Sequence, residues 1–311
     1  MSDPKLPDPK LPETDFAPRP GQPLQLTEDL RLVLAPNPSP MTERGTNTYL
    51  LGNGDVTVID PGPMDSTHLA AIRAALRPHE RIAQILVTHS HLDHSPAARP
   101  LAEATGAPVL AFGDSNAGRS ARMQALSGAE IGGGEGIDTA FAFDEALPDG
   151  TEIKAGGRPI TAIHSPGHLG NHLCFQWGDA LFSGDHIMGW APSLVSPPDG
   201  DLTDFMASLD RIEQLGALRY FPGHGAPVAD GLERLRALRS HRLGREASIR
   251  AAIAGGAADL AAITATVYTD VPHALLPAAA RNVLAHLIDL EGRELINFDT
   301  EPGPDLRVST P

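Results

Sequence analysis

Six consecutive residues, His89-Ser-His91-Leu-Asp93-His94, constrain this chain more than any other segment. They follow directly on IAQILVT from 82, an apolar run with the length and β-branched content of a buried strand. A turn at a strand end therefore presents three imidazoles and a carboxylate side by side. Both groups are ligands of zinc and its first-row neighbours. Alternate residues of an extended chain project to one side, so His89 and His91 can share one ion. Asp93 and His94 then turn toward a second as the chain rounds into a helix at Ser95-Pro96. The chain has 13 histidines, and placing three of them in six positions has no structural purpose of its own.

Three later segments repeat the strand-to-loop form: SPGHLGNH with His168, LFSGDHIMGW with Asp185 and YFPGHGAPV with His224. Glycine beside each ligand lets the backbone approach closely and adopt positive φ. Around them, short strands are expected at RLVLAP from 31, TNTYLLG from 46 and DVTVIDPG from 55. A helix follows from 64, capped by Asp65 or Ser66, with Leu69, Ile72 and Leu76 on one face. A second round of strands spans about 151 to 225 (TEIKA, PITAIH, HLCFQW, ALFSG), with a helix from about Leu202 to Leu215. Alternating strands and helices predict an α/β layered domain. From 230 onward the pattern is helical, apart from a strand at ELINF from 294. The glycine-rich IGGGEGID from 131 lacks the ending of a phosphate loop and reads as a flexible surface loop.

Composition narrows the function. The formal net charge of −15 argues against a general affinity for nucleic acid but leaves room for a local basic groove. Aromatic residues are only 5%, with no aromatic and basic platform for stacking bases. The lone cysteine, Cys174, excludes an intramolecular disulfide and a thiolate-rich zinc site, and reads as a buried strand residue. No basic start followed by an apolar stretch marks a leader, and the most apolar long segment, from 251, contains Asp259 and two glycines. A cytoplasmic protein without a membrane role is expected. DPKLP occurs twice in residues 3–12, and seven of the first 23 residues are proline, so residues 1–23 read as an extended or mobile tail.

Taken in this order, the histidine block and the three later segments resemble the metallo-β-lactamase superfamily over roughly residues 24–240. The resemblance implies an αββα sandwich with metals at one edge. It implies that His89, His91 and His168 hold one metal, that Asp93, His94 and His224 hold the other, and that Asp185 bridges them. Two zinc ions are the expected cofactors, and iron or manganese would also accept this His/Asp set. Two such ions about 3.5–4 Å apart can share a hydroxide that attacks a carbonyl or phosphorus, with Asp93 orienting it and Asp185 completing the catalytic pair. Asp185 stands where an antibiotic-destroying β-lactamase typically has cysteine, which argues against β-lactams as the main substrate.

GTNTYLLG, SGDHIMGW, PDGDLTDFMASLDRI, YFPGHGAPV and SHRLGREASI, followed by a helical tail, resemble the group named for beta-lactamase-like protein two. That likeness implies a winged-helix-like domain over residues 241–311, and it points to Asn47, His172 and Trp190 as pocket residues. Members of the group are linked to single-stranded RNA cleavage and close relatives to thioester hydrolysis. Six arginines between 231 and 250, against Glu233 and Glu246, either pair with the acidic main domain, the favoured reading, or receive an anionic substrate. The leading expectation is a dinuclear hydrolase of a small ester-like, thioester or lactone substrate, which could be anionic. The alternatives are a single-stranded RNA endonuclease with the same metals, and a non-catalytic binding or regulatory protein. Oligomeric state is not legible.

Overall fold

Residues 16–127, 131–216, 218–269, 271–272, 275–300, 302–303 and 305–311 are described by the structure, a computed structural model. The first sheet has seven strands in sequence order: β1 (Leu24–Thr27), β2 (Leu30–Leu34), β3 (Asn47–Leu51), β4 (Asp55–Ile59), β5 (Arg81–Leu86), β6 (Val109–Ala111) and β7 (Glu145–Ala146). Its first half is an antiparallel meander, and its pairs from β4 to β7 are parallel. The second sheet orders β12 (Arg219–Pro222), β11 (Ala180–Gly184), β10 (Leu173–Trp177), β9 (Arg158–His164) and β8 (Glu152–Ala155). Only its β11–β12 pair is parallel.

Period-two alternation divides the central strands between different cores. Leu30, Leu32 and Leu34 of β2, with Tyr49 and Leu51 of β3, enter a cluster shared with Leu173, Phe175 and Trp177 of β10. That cluster is the filling of the sandwich. The intervening Val33 and Leu50 face the other way, toward Ala71 and Ile72 of α1 (Ser66–Ala74) and Leu101 of α2 (Ala98–Thr105). Cys174 of β10 likewise turns outward, fully buried, into a cluster with Phe205 and Leu209 of α4 (Leu202–Glu213). Each such buried leucine or phenylalanine contributes about 1.5–3 kcal/mol. The layering is thus helix, sheet, sheet, helix.

Helix starts follow capping chemistry. Asp65, rather than Ser66, caps α1 by accepting from the Thr67 and His68 amides, and Asp201 caps α4 in the same way. On α1 the buried face is His68, Ala71 and Ile72; Leu69 is only partly buried, as is Leu76, which lies beyond the helix end. The 113–147 region, without an expected element, contains the short α3 (Ala121–Leu126). The glycine-rich segment from 131 is not the loose surface loop its composition suggests. Leu92 donates its amide to the Gly136 carbonyl, Asp138 donates to the Ser90 carbonyl, and Gly134 donates to Asp199.

Asp230 caps α5 (Gly231–Ala254), which continues without a break into the C-terminal region. There it packs with α6 (Leu260–Val267), α7 (Leu276–Gly292) and a two-stranded ribbon, β13 (Asn297–Phe298) and β14 (Val308–Ser309). Ala285 of α7 also joins the cluster outside the second sheet, so the helical region is bonded to the sandwich through shared core. Of the proline-rich segment, residues 1–15 lie outside those described; Phe16 packs against the sandwich filling. Among the described residues no helix is long and apolar enough to cross a membrane.

Candidate metal centre

The strand ends that carry the motif residues all finish at one edge of the sandwich. β5 runs into His89, β11 into Asp185 and β12 into His224, and the β9–β10 loop supplies His168. Two backbone bonds tie the sheets together there: the Leu173 amide to the Thr88 carbonyl at 2.7 Å, and the Asn47 amide to the Gly223 carbonyl at 2.8 Å. Gly223 has to be glycine, because a Cβ there would lie 2.5 Å from Asp185 Oδ1 and 2.6 Å from His94 Cε1. Gly184 has φ +48°, and a Cβ on it would lie 2.5 Å from His172 Nε2.

All seven expected ligands converge. His89 Nε2 lies 2.9 Å from His91 Nδ1, which lies 3.0 Å from His168 Nε2. Asp93 Oδ2 is 3.1 Å from His224 Nε2 and 3.6 Å from His94 Nε2, and those two nitrogens are 3.3 Å apart. Asp185 stands between the two groups, with Oδ2 3.3 Å from His224 Nε2 and 3.7 Å from His168 Nε2, and Oδ1 3.4 Å from His94 Nε2. Three donor sets lie within reach of a single ion: His89, His91 and His168; His89, His94 and Asp185; Asp93, His94 and His224.

The surrounding contacts fix which nitrogens face inward. His168 Nδ1 donates to the Leu194 carbonyl at 2.7 Å, His94 Nδ1 to Asp60 at 2.9 Å and His224 Nδ1 to the Gly45 carbonyl at 3.2 Å. With Nδ1 carrying the proton, each Nε2 lone pair points into the cluster, as a metal-binding histidine requires. Asp185 Oδ1 is buried without a hydrogen-bond donor. Convergent lone pairs and an orphaned carboxylate oxygen fit divalent cations.

The electrostatics of the chain itself divide the cluster: His94 and His224 hold protons that a divalent ion would displace from Nε2, while the other three rings are already neutral. Burial opposes charge on His94 and His224, but the carboxylates of Asp93 and Asp185 outweigh it, raising His94 well above its usual value and His224 to about 9. Burial would likewise raise Asp93 and Asp185, yet His94 and His224 hold both carboxyls well below the usual range. Burial lowers His89 and His168, and lowers His91 to about 3, so these rings stay neutral and able to ligate. The buried Cys174 thiol, pushed up to about 12, belongs to the packing instead.

The cluster opens into a cavity of about 770 Å³. Its sheet-side lining includes Met41, Leu92, Met188, Trp190 and Leu194. The opposite wall comes from the C-terminal helices, with Arg242, Arg245, Tyr268, Leu275 and Asn282. Trp190 therefore lines the cavity, whereas Asn47 and His172 do not. Asn47 points back, donating to the Pro222 and Gly225 carbonyls and so shaping the turn around His224. His172 is fully buried behind His89, its ring 5.1 Å away, with Nδ1 on Ser165 Oγ at 2.9 Å. Neither reaches the opening: Asn47 is turned onto the β12 turn and His172 packs behind His89.

Asp60 escaped the sequence reading as a site residue. Besides His94 it accepts from the Thr88 amide and hydroxyl, both at 2.7 Å, and holds φ +50°. The signal was present: an Asp-Pro-Gly turn closing β4, the parallel neighbour of the strand that feeds the histidine block.

A sequence model of the metallo-beta-lactamase superfamily matches residues 41–224, and one of a beta-lactamase associated winged helix domain matches 260–302. The beta-lactamase-like protein 2 homolog of Drosophila melanogaster is 31% identical over 86% of this chain and 89% of its own length. An atrochrysone carboxyl ACP thioesterase of Aspergillus fumigatus is 29% identical over 79% of this chain and 68% of its own. A beta-lactamase domain protein from Burkholderia ambifaria superposes with a TM-score of 0.80 over 97% of both chains, at 20% identity, which speaks to the fold alone. With a family match over more than half of its length, and a relative that follows it almost end to end, the chain belongs to the metallo-beta-lactamase superfamily of hydrolases, with a winged helix domain at its C-terminal end.

Proposed function

We propose that this chain hydrolyses a small acyl compound, a thioester, ester or lactone, at a two-metal centre held by His89, His91, Asp93, His94, His168, Asp185 and His224. The observation that carries the reading is the convergence of seven donors, five of which (His91, Asp93, His168, Asp185 and His224) line one cavity of about 770 Å³ with mainly apolar walls. A cavity of that size suits a small ligand with an apolar body. The thioesterase named among the relatives supports the acyl class. Nitrogen and oxygen donors without thiolate suit zinc, iron or manganese.

Bound divalent ions supply Lewis acidity and water activation. The chain's own residues do the rest. Asp93 is the carboxylate more open to the cavity, 27% exposed against 9% for Asp185, so it orients the attacking water and relays a proton to the departing thiol or alcohol. Asp185, enclosed between the two histidine groups, holds the cluster together. Met188, Trp190 and Leu194 pack the acyl portion and keep bulk water away from the reacting carbonyl.

A single-stranded RNA substrate has less support. Of the six α5 arginines, Arg236 and Arg239 are bound by Glu213 and Asp210, and Arg234 by the Met188 and Ala191 carbonyls. No continuous cationic track remains along that helix.

The test is turnover of a panel of thioesters, lactones, a chromogenic cephalosporin and single-stranded RNA by metal-loaded protein, with Asp93→Ala beside it. Cleavage of a thioester or lactone, lost in the folded variant, supports the reading. Cleavage of RNA alone, or of nothing by fully metallated protein, contradicts it.

A further inference from the structure

Five of the six arginines of α5 fall into two groups by what they face; Arg250 is exposed and outside both. Arg234 is held by backbone carbonyls and Arg236 and Arg239 by carboxylates, as above, although Arg239 Nε is buried without an acceptor. Arg242 and Arg245, one and two turns further along, meet no carboxylate among the described residues, in a chain whose net charge is −15. Arg242 is only 3% exposed. It donates to the Ser193 carbonyl and, at 3.1 Å, to Asn282 Oδ1, and its Nε is buried with no acceptor. Arg245 donates to the Val267 carbonyl at 2.8 Å and stacks on Tyr268, with its guanidinium 4.1 Å from the ring centre. Its Nε is buried and unsatisfied as well. Both side chains line the same cavity as the metal cluster.

A buried guanidinium without a counter-ion is costly. Burial lowers Arg242 only to about 10, so it stays charged at neutral pH. A purely structural role, as a tie between the Ser193 segment and α7, accounts for two donors of Arg242. It leaves both Nε groups and the charge of Arg245 unexplained. The tie also fixes the location of these charges. Arg242 holds the Ser193 carbonyl, and the next carbonyl, that of Leu194, holds the metal-facing His168. Arginine and metal ligand are thus buttressed by consecutive residues, whose Cα atoms are about 3.8 Å apart.

We propose that Arg242 and Arg245 form a subsite for an anionic group, a carboxylate or phosphate, carried by the substrate at an end remote from its scissile bond. This rests on the acyl-hydrolase reading. The paired forks of two arginines match the planar or tetrahedral oxygens of either group. Tyr268 keeps the Arg245 plane in position, and apolar side chains of the same cavity, Met188 and Leu194 among them, pack the uncharged part of the substrate.

The test compares three substrates of metal-loaded, full-length protein: hexanoyl-N-acetylcysteamine, which is uncharged, adipoyl-N-acetylcysteamine, with a carboxylate on the acyl end, and hexanoyl-coenzyme A, with phosphates on the leaving group. At least one anionic substrate is expected to exceed the uncharged one about 10-fold in kcat/KM, mainly through KM. Arg245→Gln brings that ratio to within about two-fold, and Arg245→Lys falls between. Preference for the adipoyl compound assigns the anion to the acyl group, and preference for the coenzyme A compound assigns it to the leaving group. Calorimetry with adipate and hexanoate reads the subsite without turnover: the second carboxylate should add about 10-fold in affinity to wild type and not to Arg245→Gln. Melting temperatures establish that Arg245→Gln and Arg242→Met are folded. The proposal is overturned if wild type shows no anion preference in turnover or binding, or if the preference survives in both folded variants. An adipate preference that Arg245→Gln removes, in a protein that turns over no thioester, keeps the subsite and rejects the acyl-hydrolase reading. Equal turnover of all three substrates does the reverse.

Discussion

On the sheet side of the cavity, the imidazoles of the donor cluster are held from behind. His94 rests on Asp60, His168 on the Leu194 carbonyl, His224 on the Gly45 carbonyl and His89 on the Thr88 hydroxyl. On the helical side no carboxylate among the described residues pairs with Arg242 or Arg245, and each keeps a buried Nε without an acceptor. The buried His286 of α7, outside the cavity lining, has no hydrogen-bond partner on either ring nitrogen among the described residues. Each of those imidazoles of the donor cluster has one ring nitrogen fixed by the chain and the other free to face the cluster, whereas the two arginines face the cavity with no carboxylate beside them among the described residues. On the proposed reading, one wall sets the chemistry and the other what the chemistry is applied to.

The largest expected effect falls on the sheet side. Asp185→Ala removes the one carboxylate that reaches both histidine groups, and hydrolysis should fall by on the order of 10³-fold or more, with metal content reduced in parallel. Full activity with two metals retained would show that the wall is not organised around Asp185. Asp60→Asn keeps the shape but weakens the support of His94 and of the Thr88 turn, so a loss of about 10–100-fold in metal affinity or activity is expected, read by chelator competition.

The helical side predicts a stability effect with a definite sign. Burial first, then Arg242, Arg245, His241 and Arg293, lower His286 to about 3. Its folded pKa lies below the unfolded value, so the fold excludes a proton that the unfolded chain takes up. Stability is therefore lost as pH falls from about 6.5 toward about 3, by up to about 1.4 kcal/mol per pH unit from this group. His286→Leu should flatten the denaturation profile by one proton in that window, and an unchanged slope would mean that His286 is not held neutral. The smallest effect belongs to an arginine with partners of its own. Arg239→Ala breaks its pairs with Asp210 and Glu213, both partly exposed, and should cost under about 1 kcal/mol in melting experiments while leaving the anion preference intact.

How much of this was legible follows from how far apart the cooperating residues lie. The histidine block was readable because four donors stand in six residues after a strand, where chance and packing offer no rival. The layering was readable because strand and helix patterns alternate along the chain and the motif order resembles a family with a sandwich fold, whereas the division of Leu30, Leu32 and Leu34 from Val33 between two cores is seen in the structure. Asn47 and His172, expected in the pocket, do not line the cavity, because motif proximity does not say which way a side chain points. Asp60 was passed over as the end of a strand. The IGGGEGID segment looked loose because its anchors are backbone bonds, to Ser90 and Leu92, which composition does not encode. The division among the α5 arginines depends on acids of α4 some thirty residues upstream, so pairing was expected for the whole run and is found for only part of it.

The central claim, that seven side chains form one two-metal centre, is most directly tested by elemental analysis of full-length protein, loaded with zinc, iron or manganese and freed of excess ion. Close to two ions per chain in wild type, and clearly fewer in Asp185→Ala, is the predicted result. A folded wild-type chain that retains none of the three would contradict it.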